Sequence, residues 1–284
     1  MHGGPRFREP VLIDDDVLRE IHELETLAPL HNAPAVRAIA DARRALPNVP
    51  HVAVFDTAFH ATIPDEAATY ALPQRWRDWG IRHYGFHGLS VQWCTEQVRV
   101  PRLVVCHLGG GSSVTAVRDG RSVDTTMGFS PLEGVPMTTR SGSVDPGALV
   151  HLLRKRGVDA ETLDHELNFE SGMKALAGGT GDMRDVDGLA LDVYTYRVAA
   201  AVGAMAVALD GLDALAFTAG IGENSSRVRA GVGERLGFLG VELDREANDN
   251  AVPDCVISSG MTAVHVVRAR EELVAARAAR ALLR

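Results

Sequence analysis

The stretch VVCHLGGGSSVTAVRDG, Val104 to Gly120, constrains the fold more than any other part of the chain. An apolar run passes through three glycines and two serines, and a second apolar run follows at once. Two readings are open. Glycine supplies the positive φ angles that tight hairpin turns demand. A glycine bend also leaves backbone N–H groups bare for an anion, which makes a phosphate cradle the second reading.

The totals narrow the class. A chain of 284 residues buries a sizeable core and has room for two domains. With 29 basic against 37 acidic residues the net charge is −8, and no nucleic-acid footprint is expected. Cys94, Cys106 and Cys255 are odd in number and far apart, so a reducing cytoplasm is expected rather than a disulfide framework. No membrane segment is expected: the longest apolar stretch, Ala199 to Leu209, is too short to span a bilayer and reads as a buried Ala-rich helix.

Along the chain, Asp14 to Ala28 has helical spacing, and a second helix is expected from Asn32 with Pro34 in its first turn. HVAVFDTAF reads as a short buried strand with Asp56 at its end, where α/β folds place functional groups. Residues 101–131 read as a meander of three strands. Asp145 and Pro146 look like an N-cap and N1 proline, and Asp187 to Leu209 reads as one long helix. ALAFTAGIGENSSRVRAGV then reads as strand, glycine turn and helix, an order that suits a nucleotide site. Neither GxxxxGK[ST] nor GxGxxG occurs.

Taken together, VFDTAFHATIP, RHYGFHGLS, CHLGGGSSVTAV with DTTMGFSPLEGVPMTTRSGSVDP, and FTAGIGEN closely resemble the acetate kinase family, the acetate and propionate kinases of the sugar-kinase/actin/Hsp70 superfamily. The resemblance implies an α/β, ribonuclease H-like fold in two domains, the first incomplete. Residues 1–58 with 268–284 would be the remnant of the first, and residues 59–267 the second. It also implies transfer of the ATP γ-phosphoryl to a short-chain carboxylate, giving an acyl phosphate and ADP, with Mg²⁺ and a homodimer.

By the same resemblance, Arg140 holds the carboxylate and the phosphoryl in flight, His87 donates to that phosphoryl, and His31 lines the pocket. Asp56 orients; an ionised carboxylate substrate needs no general base. Glu271 matches the glutamate that holds Mg²⁺ through water. Leu30, Phe86 and Pro131 match the wall around the substrate's alkyl group. His107, Leu108, Gly109, Gly110 and Gly111 match the phosphate contacts. Asp182, Met183 and Arg184 match the purine side, and Gly220, Ile221, Gly222, Glu223 and Asn224 complete the nucleotide set. Outside such motifs, each of these residue types is ordinarily core or solvated surface.

The chain also departs from the family pattern. The opening N-x-G-S-S-S-x-K hairpin is not in it, and with that portion go a metal contact, a second arginine and one wall residue. Losing a charge-stabilising arginine costs phosphoryl transfer roughly 10³ to 10⁵. A longer natural chain with full activity is one expectation; the other is a shortened paralogue, impaired in catalysis, that binds nucleotide or dimerises. Gly110 stands where relatives carry Asn, Thr138 where they carry Gly, and Arg270 where they carry Asn.

Overall fold

A computed structural model describes residues 1–26 and 29–284, without the side chains of Thr26, Pro29, Leu30 and His31. The expected contacts of Leu30 and His31 therefore lie outside the described side chains.

The centre is a six-stranded mixed sheet. It contains β3 (Arg102–Leu108), β4 (Ser112–Arg118), β5 (Arg121–Thr125), β6 (Ala214–Thr218), β7 (Cys255–Val256) and β8 (Ala263–Val266), in the order β5-β4-β3-β6-β8-β7. The first three form the expected antiparallel meander. β6 pairs parallel to β3, and β8 parallel to β6.

Burial on both faces explains the apolar run Leu103–Cys106 of β3. Val104, Cys106 and Leu108 face one core and Leu103 and Val105 the other. On the first face lies the long helix Gly188–Leu209, through Tyr194, Val198 and Val202. The second face takes the helix Gly88–Gln97, through Val91 and Trp93, and the C-terminal helix Glu271–Leu282, through Val274. The C-terminal helix, expected to group with residues 1–58, thus packs on the six-stranded sheet. The long helix has the length and composition of a membrane span, yet its apolar stripe is spent on the sheet.

A second, smaller body pairs β1 (Val11–Leu12) with β2 (Val52–Ala53) around Phe7, Ile21 and Phe55. Its helix Pro29–Ala45 starts three residues before the expected Asn32 cap and contains Pro34. Asn32 does a different job. Its side-chain amide accepts from His2 N at 2.8 Å and donates to His2 O at 3.2 Å, tying the helix to the N-terminal segment.

Two helix starts follow the sequence expectation: Asp145 accepts from Gly147 N at 2.8 Å as the cap of the helix Pro146–Lys155, and the long helix begins directly after Asp187, whose side chain makes no cap bond. The expected glycine turn after β6 is instead a short helix, Ala219–Asn224, followed by the helix Ser226–Gly233 capped by Ser225. The buried Arg229 supplies the reason. Its guanidinium donates to Gly222 O at 2.9 Å and Glu223 O at 2.8 Å, satisfying carbonyls that the end of a short helix leaves bare, while Asn248 takes its other donors.

Candidate active site

The Gly109–Gly111 bend joins β3 to β4, and none of its three glycines adopts the left-handed region. The turn-geometry reading therefore fails, and close approach is the reason for glycine here. A Cβ on Gly111 would stand 3.1 Å from His87 Nε2 and 3.3 Å from Arg140 Nη1. The bend, the imidazole and the guanidinium thus converge on one point.

Arg140 sits on a loop fastened on both sides. Met137 N donates to Arg140 O at 3.0 Å, Ser141 N to Leu167 O at 3.0 Å, and Lys174 N to Thr138 O at 2.8 Å. Gly172, at φ 62°, lets the chain pass; a Cβ there would lie 2.2 Å from Met137 O. The Arg140 Nη1 donates to Pro131 O at 3.1 Å. Among the described residues no carboxylate pairs with this guanidinium, and burial lowers its pKa from the ordinary arginine value. A half-buried cation without a counter-ion suits an anionic ligand. Beside it Phe86, Met127 and Met137 form a small apolar cluster, and the Arg140 guanidinium reaches Pro131 O; Met127 and Met137 carried no sequence signal.

His87 and His107 stack at 3.9 Å. His87 Nδ1 meets Ser113 Oγ at 3.0 Å, and His107 Nδ1 meets Ser90 Oγ at 2.8 Å. Burial first, then the neighbouring imidazole, keeps His107 well below the usual histidine range and therefore neutral. Asp56 accepts from His87 N at 2.6 Å and Leu89 N at 3.3 Å, so its carboxylate caps the helix Gly88–Gln97 and sets His87, whose own φ is 59°. These two bonds hold the start of the helix and the backbone of His87.

Glu271 opens the C-terminal helix, with its carboxylate 4.0 Å from His107 Nδ1. Burial, then the Asp56 carboxylate, push its pKa up to about 7. Among the described residues no three His, Cys, Asp or Glu side chains are placed to hold a metal. Two nearby carboxylates that resist joint ionisation fit a hard cation that keeps most of its waters, as Mg²⁺ does.

Beyond the bend opens a cavity of about 710 Å³. Gly109 and Gly110 line one end, Asp182, Met183 and Arg184 one side, and Gly220, Ile221 and Asn224 another. Asp182 is paired with Arg184, which holds its carboxyl down at about 2. Three of the expected contacts point elsewhere. The Leu108 side chain is in the core, Gly222 packs against Phe217, and Glu223 accepts from Ala269 N at 2.9 Å. Conversely, Ser225, Ser226 and Arg227 line the cavity without having been singled out, and Thr138, noted only as a departure from the family pattern, lines it too. Arg227 donates to Met183 O at 3.3 Å and Val186 O at 3.0 Å, holding the wall at Asp182–Arg184 in place. A contact that joins residues so far apart in sequence leaves no local pattern.

A mixed sheet with a glycine bend, an unpaired guanidinium and a deep cleft at the carboxyl ends of its strands defines an α/β protein built to hold phosphates against a second anion. The acetokinase family model matches residues 1–277, and the chain belongs to that family. It is 46% identical to the acetate kinase of Protochlamydia amoebophila, covering 98% of this chain and 74% of that protein. It is 48% identical to the acetate kinase of Gloeobacter violaceus, covering 94% and 71%. Among solved structures, the propionate kinase of Francisella tularensis superposes with a TM-score of 0.92 at 37% identity, covering 98% of this chain and 76% of that one. The Porphyromonas gingivalis acetate kinase superposes at 0.92 with 34% identity, covering 100% and 76%. The fold is the one those kinases share.

Proposed function

We propose that the protein transfers the γ-phosphoryl group of ATP to acetate or propionate, giving an acyl phosphate and ADP. One observation carries this reading: His87 Nε2 and Arg140 Nη1 lie within 3.1 and 3.3 Å of a single point off Gly111. The glycine bend there closes one end of a nucleotide-sized cavity. A carboxylate oxygen attacks the γ-phosphorus as the bond to the β–γ bridging oxygen breaks, and the electron pair leaves on ADP. The attacking oxygen is already ionised, so no base is needed.

Arg140 binds the carboxylate and offsets charge on the equatorial oxygens. His87 Nε2 faces the bend, and a ring that accepts from Ser113 at Nδ1 carries its N–H there. Asp56 holds His87 through the backbone. Bound Mg²⁺ would neutralise phosphate charge, with Glu271 and Asp56 as the carboxylates nearest to it. Phe86, Pro131 and Met137 shape the acid's apolar end. His107 supports His87 from behind, and the bend, Asp182–Arg184, Gly220, Ile221 and Asn224 surround the nucleotide.

Residues 59–267 with the C-terminal helix form the nucleotide-holding domain, and the β1–β2 body is part of the other. A homodimer is supported by the helices Pro146–Lys155 and Ala160–His165, which bury no residue and leave Val150 and Leu153 exposed. Buried, unpaired Cys94 and Cys106 suit the cytoplasm. Neither the site nor the relatives favour the remnant reading. The test is a hydroxamate trap with acetate, ATP and Mg²⁺, repeated with propionate. Acyl hydroxamate above a no-enzyme control is expected, and a blank trap with both acids overturns the assignment.

A further inference from the structure

Thr138 and Gly110, two positions where the chain departs from the family pattern, touch each other. Thr138 Oγ1 donates to Gly110 O at 3.0 Å, and among the described residues this is the one hydrogen bond that carbonyl receives. The carbonyl belongs to the peptide unit that also carries the Gly111 N–H. In a trans peptide these two groups point in opposite directions, so holding one fixes the other.

Without that bond the unit is poorly determined. Glycine lies on both sides, so no Cβ resists rotation about the flanking bonds, and a Cβ built on Gly110 meets nothing within 4 Å. The preceding peptide is held separately, by Ser112 Oγ donating to Gly109 O at 3.4 Å, and Gly109 N donates across the bend to Gly111 O at 2.9 Å. A flip of the Gly110–Gly111 unit would exchange a donor for an acceptor at the end of the cavity. To phosphate oxygens that is the difference between attraction and repulsion.

Thr138 is well placed to prevent the flip. Its carbonyl accepts from Lys174 N at 2.8 Å, Met173 N donates to Met137 O at 2.9 Å, and Arg140 leaves the same loop two residues on. We propose that Thr138 is a positioning residue whose hydroxyl locks the orientation of the Gly110–Gly111 peptide and so prepares the bend for the terminal phosphates of a nucleotide. This rests on the kinase reading above and adds to it a residue that fixes nucleotide affinity without acting on the acid.

The test compares Thr138→Val, which keeps shape and loses the hydroxyl, with Thr138→Ser, which keeps it. Calorimetry with ADP and Mg²⁺ should show binding roughly three- to tenfold weaker in the valine variant, the equivalent of one net hydrogen bond, and restored in the serine variant. The KM for ATP should rise in parallel while the KM for the acid stays put. In nucleotide-free protein, the amide resonances of Gly110 and Gly111 should shift in the valine variant and not in the serine variant, separating a peptide lock from direct contact with nucleotide. Equal ADP binding in all three proteins overturns the role of Thr138 alone, as do unmoved glycine amides or an acid KM that rises as much as that for ATP. A wild-type chain that binds no ADP overturns the kinase reading with it.

Discussion

His87 lies flat against His107, with ring centroids 3.9 Å apart and planes 16° from parallel. Two stacked imidazoles at that spacing repel when both are charged, and burial already keeps His107 neutral. His107 therefore backs His87 as a neutral ring. Replacing His87 by Ala should lower kcat by roughly 10² to 10³, the usual cost of removing one preorganised donor. Hydroxamate rates at pH 7 check this; a loss confined to KM would assign His87 to binding alone.

Arg140→Ala should remove turnover while leaving the fold, because the guanidinium makes one backbone hydrogen bond and no ion pair among the described residues. Arg140→Lys should not restore it, since a point charge cannot match a planar fork on two oxygens. Far-ultraviolet circular dichroism and the melting temperature should stay near wild type in both variants. Retained turnover in Arg140→Ala would count decisively against the site.

Gly172→Ala tests the loop that carries Arg140. A Cβ at φ 62° and 2.2 Å from Met137 O has no place to go, so the variant should lose at least about 2 kcal/mol in urea unfolding, from left-handed strain and the clash together. Its activity should fall as well, because Met137 and Arg140 are bonded across the same loop.

His60 predicts the acid limit. Its Nε2–H donates to Phe86 O at 2.8 Å and its Nδ1 accepts from Ser122 Oγ at 2.8 Å, so it is folded in as a neutral ring, and burial lowers its pKa to about 4. Between an unfolded value near 6.5 and that folded value the unfolded chain binds the extra proton. Stability is thus fully present above pH 6.5 and falls as pH drops towards 4, by about 3 kcal/mol from this group. Urea midpoints measured from pH 7 to 4.5 should fall less steeply in His60→Gln than in the parent.

Arg229 is the largest fully buried side chain, and four neutral oxygens hold its charge. Arg229→Ala should cost more than about 3 kcal/mol, since it strips three backbone carbonyls and the Asn248 amide oxygen of these donors and leaves a cavity. Denaturant titration is the check, and a near-neutral result would mean water replaces the guanidinium.

How far the sequence speaks for itself differs between these groups. The meander was legible because β3, β4 and β5 are separated by glycine turns, and the Asp145 and Asp187 helix starts because capping is local. Asp56 was legible as a strand-end carboxylate, although its partner, the amide of His87, lies 31 residues away. The helix Ala219–Asn224 was not, because two glycines in six residues favour a turn until Arg229 grips its far end. The role of Asn32 was hidden for the same kind of reason: a cap and a tertiary amide look alike in one dimension. Thr138 and Arg227 act on backbone atoms, which every residue type shares, so nothing in the chain's lettering marks Arg227, and Thr138 stood out only as a departure whose partner the sequence did not show.

His107 and Thr218 are rungs of one parallel ladder, and the glycine bend and the Ala219 helix leave the sheet just beyond them. Any tilt or twist of the sheet therefore carries the bend and the Ala219–Asn224 helix, which line the same cavity, as one jaw, with Asp56 holding the backbone of His87 beside it.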